Sequence, residues 1–182
     1  KVVEEIEKEV RRSVEELERL VTEDLRKVKE VVKRAEEVAE EDERKVDEVV
    51  KELKRAAKEG RDKRELEEEV RRVHEDSKRT LEELRRDIKR VNEDSRRSLE
   101  EIDKLSRDVK KRLDEMVRDL VRTEEMERRV REVLKRNEDV TDEVKKKIEE
   151  SNRDLEDALR KVEKKIRESN ERLRRVLEEV RK

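Results

Sequence analysis

Within each third of the sequence a valine recurs at one constant spacing, the valine interval. Five turns of an undistorted α-helix take about 18 residues, which is this interval, so the recurring valines share one face of a straight helix. A seven-residue repeat would instead drift around the helix and impose a left-handed supercoil. The sequence therefore predicts straight helices lying side by side. The recurring positions form three sets: Val10, Val28 and Val46; Val73, Val91 and Val109; Val144, Val162 and Val180.

The composition supports an almost wholly helical fold. Of the 182 residues, 62% are charged and 29% are hydrophobic, and the chain has no proline, no cysteine and no aromatic residue. Average usage of about 5% would give such a chain roughly nine prolines, which interrupt helices. The 55 basic and 57 acidic residues are interleaved. We therefore expect no nucleic-acid or membrane partner, because no surface of one sign is available and no aromatic ring can stack on bases.

The same composition limits the chemistry that the chain can support. No apolar run exceeds two residues, so we expect a soluble chain without a membrane-spanning helix or a targeting signal. Its localisation stays open, with recombinant cytoplasmic expression as the expectation. One histidine and no cysteine cannot assemble the usual zinc motifs, and we expect neither a metal nor a cofactor. A general acid needs a cleft and a perturbed environment, so we do not expect an enzyme.

The phase of the apolar residues divides the chain into three helices. At 100° per residue, the apolar residues of 2–57 fall within an arc about 140° wide. The arc shifts by about 140° for residues 66–117 and by about 110° again for residues 126–180. One continuous helix cannot change its face so abruptly, so the chain must turn near residue 60 and again between residues 121 and 126.

Local signals place the helix ends. Gly60 can adopt the left-handed conformation that ends a helix, and Asp62 with Glu65 forms an Asp-x-x-Glu helix start. Thr123 is the predicted N-cap of the last helix. A rival helix end at residues 137–141 is rejected, because the apolar residues on both sides of it share one phase. The predicted helices span about 1–59, 62–122 and 124–182.

Helices of equal length joined by short turns pack antiparallel. The predicted fold is therefore all-α: a single-domain, elongated, antiparallel three-helix bundle with up-down-up topology and almost no supercoil.

Small polar residues inside the apolar arcs are the candidate functional positions. Ser77 and Ser95 are separated by the valine interval near the centre of the second helix's face, and Ser151 and Ser169 repeat that interval on the third helix. An antiparallel turn near residue 123 brings Ser95 level with Ser151 and Ser77 level with Ser169. The predicted layers are His74, Ser77 and Thr80 with Ser169 and Asn170; Asn92, Ser95 and Ser98 with Ser151 and Asn152; and Ser106 with Asn137 and Thr141.

Buried layers of this kind would give specificity, because a slipped register leaves buried polar groups unsatisfied. In the alternative, the hydroxyls bond to their own helix and the asparagines lie at the wet edge of the core. His74 holds the same repeat position as Asn92, so we interpret it as a hydrogen-bonding member of its layer rather than a metal ligand. The first helix has a broader apolar stripe and only Ser13 and Thr22 as uncharged polar residues.

These features resemble de novo designed, parametrically generated helical bundles with buried hydrogen-bond networks. The resemblance rests on the aliphatic core, the Glu/Lys/Arg surface, the 18-residue repeat and segments such as residues 91–95 and 148–152. It implies a monomeric structural scaffold that has no natural biochemical activity and requires no partner. The alternative is an interaction module, one component of a larger bundle that pairs with a second copy or a designed partner helix.

Overall fold

The chain forms three α-helices in the computed structural model, which describes residues 2–120 and 123–182. The helices are α1 (Val2–Glu59), α2 (Lys63–Leu120) and α3 (Glu124–Arg181). They pack together as a three-helix bundle, which confirms the predicted fold class, and no strand occurs within the described ranges. Lys1, Val121 and Arg122 lie outside the described residues, and with them the predicted end of the second helix at residue 122. The predicted elongation, absence of supercoil and single domain stay predictions.

The turn after α1 is built on Gly60, the position that the sequence singles out. Gly60 has a φ of +73°, a left-handed conformation that costs a side-chain-bearing residue about 1–2 kcal/mol. The Gly60 N–H donates to the carbonyl of Ala57, and the Arg61 N–H donates to that of Ala56. These two bonds satisfy carbonyls that have no partner at the helix end. Asp62 then begins the next helix, because its Oδ1 accepts a hydrogen bond from the Arg64 N–H at 3.2 Å.

The start of α3 is capped by Thr123, as predicted. The hydroxyl oxygen of Thr123 accepts a hydrogen bond from the Met126 N–H at 3.3 Å, and its carbonyl accepts from the Glu127 N–H at 3.0 Å. Glu124 and Glu125 follow in the first turn, where negative charge is favourable. The helix then continues through residues 137–141 without interruption, so the rejected helix end is absent from this described segment.

The described helices divide into two compact units. The first unit contains Lys1–Val28 and Val91–Arg153, and the second contains Lys29–Arg90 and Asp154–Lys182. Each unit therefore holds a segment of all three helices and has its own core.

The core of the first unit shows the helix directions. One cluster joins Ile6 and Val10 of α1 to Leu113 of α2 and Val130 of α3. A second cluster, later along α1, joins Leu17, Leu20, Val21, Ile102, Val144 and Ile148. Residue numbers rise together along α1 and α3 and fall along α2, so α2 is antiparallel to both. Each fully buried aliphatic side chain contributes about 1.5–3 kcal/mol.

The second unit has an equivalent aliphatic core near the Gly60 turn. It joins Leu53 of α1 to Leu66 of α2 and Leu173 of α3, all fully or almost fully buried. Outside it, the Arg34 guanidinium pairs with the Asp87 carboxylate at 2.7 Å, linking α1 to α2. Surface pairs of this type contribute at most about 1 kcal/mol, so the aliphatic contacts dominate the stability of the unit.

Candidate functional site

A buried polar layer crosses the first unit at Asp24, Ser95 and Ser151, which come from α1, α2 and α3. Asp24 is 3% exposed and Ser95 is completely buried. The Ser95 hydroxyl donates a hydrogen bond to Asp24 Oδ1 at 2.6 Å. The Ser151 hydroxyl donates at 2.8 Å to the carbonyl of Ile148 on its own helix, and Ser151 acts to lower the pKa of Asp24. The layer therefore contacts all three helices, with a carboxyl group at its centre.

The environment of Asp24 disfavours its ionised form. Burial raises the pKa of Asp24 above its ordinary value, and the negative charge of Asp94 acts in the same direction. The Ser95 hydrogen bond, the positive charge of Lys27 and the Ser151 hydroxyl oppose this rise without cancelling it. Lys27 is itself paired with Asp94, its Nζ lying 3.6 Å from a carboxylate oxygen. Asp24 Oδ2 is buried and accepts no hydrogen bond from the part of the chain that the structure describes.

The second unit repeats this arrangement at Asp42, Ser77 and Ser169. Asp42 is 8% exposed, and the buried Ser77 hydroxyl donates a hydrogen bond to its Oδ1. Ser169 of α3 acts to lower the pKa of the same carboxyl group. Burial again raises the pKa of Asp42, against the opposing effects of Ser77, Lys45, His74 and Ser169. Asp42 Oδ2 accepts no hydrogen bond from any described residue.

The two layers are repeats of one another, because the valine interval separates each member of the first layer from its counterpart on the same helix. A small pocket lies beside each layer, and the valine interval also separates the α1 residues that line the two pockets. The pocket beside Asp24 has a volume of about 220 Å³, and the one beside Asp42 has a volume of about 40 Å³. Their α1 linings correspond residue by residue: Leu20, Glu23, Asp24 and Lys27 in the first unit, and Val38, Glu41, Asp42 and Lys45 in the second.

The first unit contains a further pair of buried polar side chains. The Ser13 hydroxyl donates a hydrogen bond to Asn137 Oδ1 at 3.1 Å, joining α1 to α3. Thr141 is also buried, but its hydroxyl donates at 2.7 Å to the Asn137 carbonyl on its own helix. Ser106 is half-buried and lines an open pocket together with Thr141. The structure thus places the three residues predicted here close together and adds Ser13 to them.

The flanking residues predicted for the layers lie nearer the surface. Thr80 donates at 2.9 Å to the Asp76 carbonyl on its own helix, and Ser98 is half-buried. His74 is also half-buried and its charge acts on Asp42, which places it beside the second layer.

The three predicted asparagines other than Asn137 are all half-buried. Each has a buried side-chain carbonyl oxygen that accepts no hydrogen bond from the described residues. The predicted alignment of Asn92 with Asn152, and of His74 with Asn170, stays a prediction.

The central carboxyl groups, Asp24 and Asp42, were missed by sequence reasoning. Because 62% of the residues are charged, the presence of an aspartate on a helix does not by itself indicate a buried site. Position could have revealed it, because Ile6, Asp24 and Asp42 follow one another at the valine interval and therefore share the buried face of α1.

A third acid with a raised pKa lies outside the layers, in the second unit. Glu69 of α2 shares a hydrogen bond with Glu52 of α1. That bond, together with burial and the charge of Glu52, raises the pKa of Glu69 from 4.5 to about 7. The stability of the second unit is therefore expected to depend on pH at this pair.

Two further features are absent from the described parts of the chain. Residues 2–120 and 123–182 contain no group of three or more His, Cys, Asp or Glu side chains placed to hold a metal ion. None of the helices in those ranges combines the length and the apolar character needed to cross a membrane.

Comparison with known proteins gives similar solved structures, one of which is set beside these observations. It is described as a "Computationally designed three helix bundle", and the match covers 99% of this chain and 89% of that one, with a TM-score of 0.46 and 16% sequence identity. No family model matches the chain, and no curated protein matches it.

Proposed function

We propose that this chain is a designed structural scaffold with no natural biochemical activity, in which buried polar layers set the register of three helices. The observation that carries the proposal is the repeated serine-to-aspartate hydrogen bond, Ser95 to Asp24 and Ser77 to Asp42. Both bonds join α1 to α2 inside the core of their own unit. Design is supported by the repetition of the layer at the valine interval and by the absence of proline, cysteine and aromatic residues.

The layers act because a buried polar group without a hydrogen bond costs free energy. Aliphatic side chains tolerate sliding past one another, because one apolar contact replaces another at little cost. A buried carboxylate that loses its serine donor costs about 1–3 kcal/mol, and more when it is ionised. Any slipped arrangement of α1 and α2 breaks such a bond, whereas the native arrangement makes it. The layers thus trade stability for a single register.

The test compares the chain with a variant whose layers are apolar: Asp24→Leu, Ser95→Ala, Asp42→Leu and Ser77→Ala. We expect this variant to unfold at a higher temperature but to sediment as several species, with weaker hydrogen-exchange protection in α1 and α2. The matched control exchanges the partners, Asp24→Ser with Ser95→Asp and Asp42→Ser with Ser77→Asp, which keeps the composition and the hydrogen bonds. A single species with native protection in the apolar variant would contradict the proposal.

We propose further that the chain is a monomer in this role. The expected solution mass by light scattering is therefore 22.2 kDa. The second candidate function is an interaction module, for which a groove in the second unit is the relevant observation. This groove has a volume of about 790 Å³ between α1 and α3, and Val32, Ala35, Ala39, Ala158 and Val162 supply its apolar lining. A stable multiple of the monomer mass would favour this second function.

A further inference from the structure

The groove between α1 and α3 in the second unit lies where alanines interrupt the valine interval. Ala35 of α1 and Ala158 of α3 both line it, and each stands where the chain has a larger aliphatic residue one interval earlier and one interval later. Those larger residues are Leu17 and Leu53 for Ala35, and Val140 and Val176 for Ala158. Alanine ends at Cβ, so side-chain volume that is filled at the equivalent positions is missing from both walls of the groove.

The surface that the groove offers is aliphatic at its centre. Ala35 and Ala39 of α1 are buried and form its floor, together with the buried Val162 of α3. Val32 of α1 and Ala158 of α3 are half-buried on its two walls. None of these side chains can form a hydrogen bond. An occupant that contacts them must therefore present an apolar chain.

An ion pair in the same unit gives the relative height of the two helices that line the groove. Arg172 of α3 pairs with Asp47 of α1, and the two residues are 125 apart in the sequence. Because α1 and α3 run parallel with the same rise per residue, this offset also applies along the groove.

Along most of the groove the charges on its two walls balance. The offset sets Glu36 of α1 level with Lys161 of α3, and Glu40 level with Lys165, so that an acid on one wall faces a base on the other. The other two charged residues at this end of the groove are Lys164 and Glu168. They also have opposite signs, so this end of the groove has no net charge.

The opposite end of the groove carries two acids without such compensation. Asp154 and Asp157 of α3 are exposed and line the groove, and the offset sets Asp157 level with the apolar Val32. Lys29 of α1 is level with Asp154 but does not line the groove, and no described cation forms an ion pair with either aspartate. Two carboxylates one helical turn apart at the end of an apolar groove complement a cation that carries an alkyl chain.

We propose that this groove binds a primary alkylammonium ion, with its ammonium group at Asp154 and Asp157 and its alkyl chain along the alanines. An ammonium group has three N–H donors and no acceptor, whereas ionised carboxylates only accept. The part of α3 that lines the groove, residues 154–168, is about 21 Å long at 1.5 Å per residue, so the groove has room for a chain of eight carbons. The proposal concerns the groove alone and holds whether or not the buried layers set the register.

A second copy of the chain fits the groove less well than a free alkyl chain. To fill the groove, the copy would have to insert an apolar side chain that protrudes from its surface. Among the side chains that the structure describes, Ala57 is the only exposed apolar one, and a single methyl group is too small for a volume of about 790 Å³.

The experiment is an NMR titration of the full chain, labelled at its alanine methyl groups, with octylammonium chloride. The five alanines of the chain supply both the probe and the control. The methyl signals of Ala35, Ala39 and Ala158 should shift in a saturable manner, whereas those of Ala56 and Ala57, which do not line the groove, should stay in place. Equal shifts at all five methyl groups, or no shift at any, would overturn the proposal.

Changes in the ligand separate the role of the alkyl chain from that of the charge. Binding should tighten by about two- to fourfold for each methylene from butylammonium to octylammonium, because each one removes apolar surface from water. Octanoate has an alkyl chain of similar length and a negative head group, and it should bind about tenfold more weakly than octylammonium. An affinity that did not depend on chain length, or equal affinities for the two head groups, would refute the inference.

The chain's own repeat supplies the variant that fills the groove. Ala35→Leu with Ala158→Val installs the residues found one interval away, so the affinity for octylammonium should fall at least tenfold. A raised unfolding temperature would show that this variant is folded and that its added side chains are packed. Ala57→Val is the control, because this exposed position lies outside the groove and its change should leave the affinity unaltered. Unchanged binding by the filled variant would contradict the proposed site.

A second variant tests the acids without touching the core. Asp154→Asn with Asp157→Asn changes two exposed side chains and should weaken octylammonium binding at least threefold, while the binding of uncharged 1-octanol stays the same. Asp139→Asn, one valine interval before Asp157, is the matched control and should have no effect. An equal loss in the control would refute the role of the two aspartates. A solution mass of twice 22.2 kDa without octylammonium binding would instead place a second copy in the groove.

Discussion

The Ser95 hydroxyl lies 2.6 Å from Asp24 Oδ1 and donates a hydrogen bond to it across the core of the first unit. Both side chains are almost wholly removed from water, so the geometry of the bond is held by the surrounding packing. A lone serine compensates only part of the cost of burying a carboxyl group. The pair therefore specifies how α1 and α2 meet, and it does so at some expense of stability.

Asp24→Asn should stabilise the chain at neutral pH. The asparagine keeps an oxygen to accept from Ser95 and removes a buried charge, so the free energy of unfolding at pH 7 should rise by about 1–2 kcal/mol. Burial raises the pKa of Asp24 in the folded state. Its stabilising contribution is therefore present below the unfolded pKa and is lost as pH rises through the folded pKa. Denaturant titrations across this pH range should show the gain of the variant vanishing in acid.

The matched control for this prediction is Asp114→Asn. Asp114 is exposed, so its change should alter stability by less than about 0.5 kcal/mol at every pH. If Asp24→Asn behaved like the control at neutral pH, the carboxyl group of Asp24 would not carry a burial penalty in solution.

Ser95→Ala and Asp24→Ala should be strongly non-additive. Ser95→Ala alone leaves a buried carboxyl group without its donor, whereas the same change beside Asp24→Ala leaves nothing unsatisfied. A double-mutant cycle should give a coupling of about 1–2 kcal/mol from equilibrium unfolding. The control cycle pairs Asp24→Ala with Ser13→Ala, which lies three turns earlier on α1 and bonds to Asn137. Additivity in the first cycle would mean that the hydrogen bond contributes nothing.

Gly60→Ala should destabilise the turn through its backbone alone. The φ of +73° is unfavourable for alanine, but beyond the two adjoining residues no atom lies within 4 Å of an added Cβ. We expect a loss of about 1 kcal/mol in thermal or denaturant unfolding, and a smaller loss for Gly60→Asn because asparagine tolerates this conformation. Glu59→Ala, in the last turn of α1, should change stability by less than about 0.5 kcal/mol. Equal effects at the two positions would argue against a left-handed residue 60.

Glu69→Gln should remove a pH dependence near neutrality. The folded pKa of Glu69 is about 7, against an ordinary value of 4.5, because its protonated form donates to Glu52 and both acids repel when ionised. The stabilising contribution is present below pH 4.5 and is lost as pH rises through 7. The variant should therefore be more stable than the parent chain at pH 8.

Melting temperatures of the Glu69→Gln variant and the parent chain, measured from pH 4 to pH 8, check this prediction. Glu68→Gln serves as the control, since Glu68 is exposed on the same helix. A parallel pH dependence in all three proteins would show that the two acids do not interact.

The helices could be predicted because the signals that define them are local. Gly60 needs a conformation that other residues avoid, and Thr123 supplies an oxygen to an N–H that would otherwise lack a partner. The phase of the apolar residues depends only on helix geometry, so it also located the buried Ser77 and Ser95. These properties belong to single residues or to one helix, and they need no knowledge of which helix lies opposite.

The partners of those serines could not be predicted in the same way. Sequence reasoning paired Ser95 with Ser151, but the Ser95 hydroxyl bonds to Asp24. An aspartate is normally a surface residue, and its role changes only when a specific neighbour on another helix compensates its burial. That compensation is a property of the packed helices. It left one trace in the sequence, the shared phase of Asp24 and Asp42 with Ile6.

The matched spacing of the two layers makes chain length an adjustable quantity. Copying one five-turn block into each helix would leave every later side chain facing as it did before, and would add a third carboxyl-centred layer to the two already present. Inserting a heptad would instead rotate the rest of each helix by about 20° and displace its polar groups from their partners. The molecule can therefore be lengthened by adding whole multiples of the valine interval to each helix.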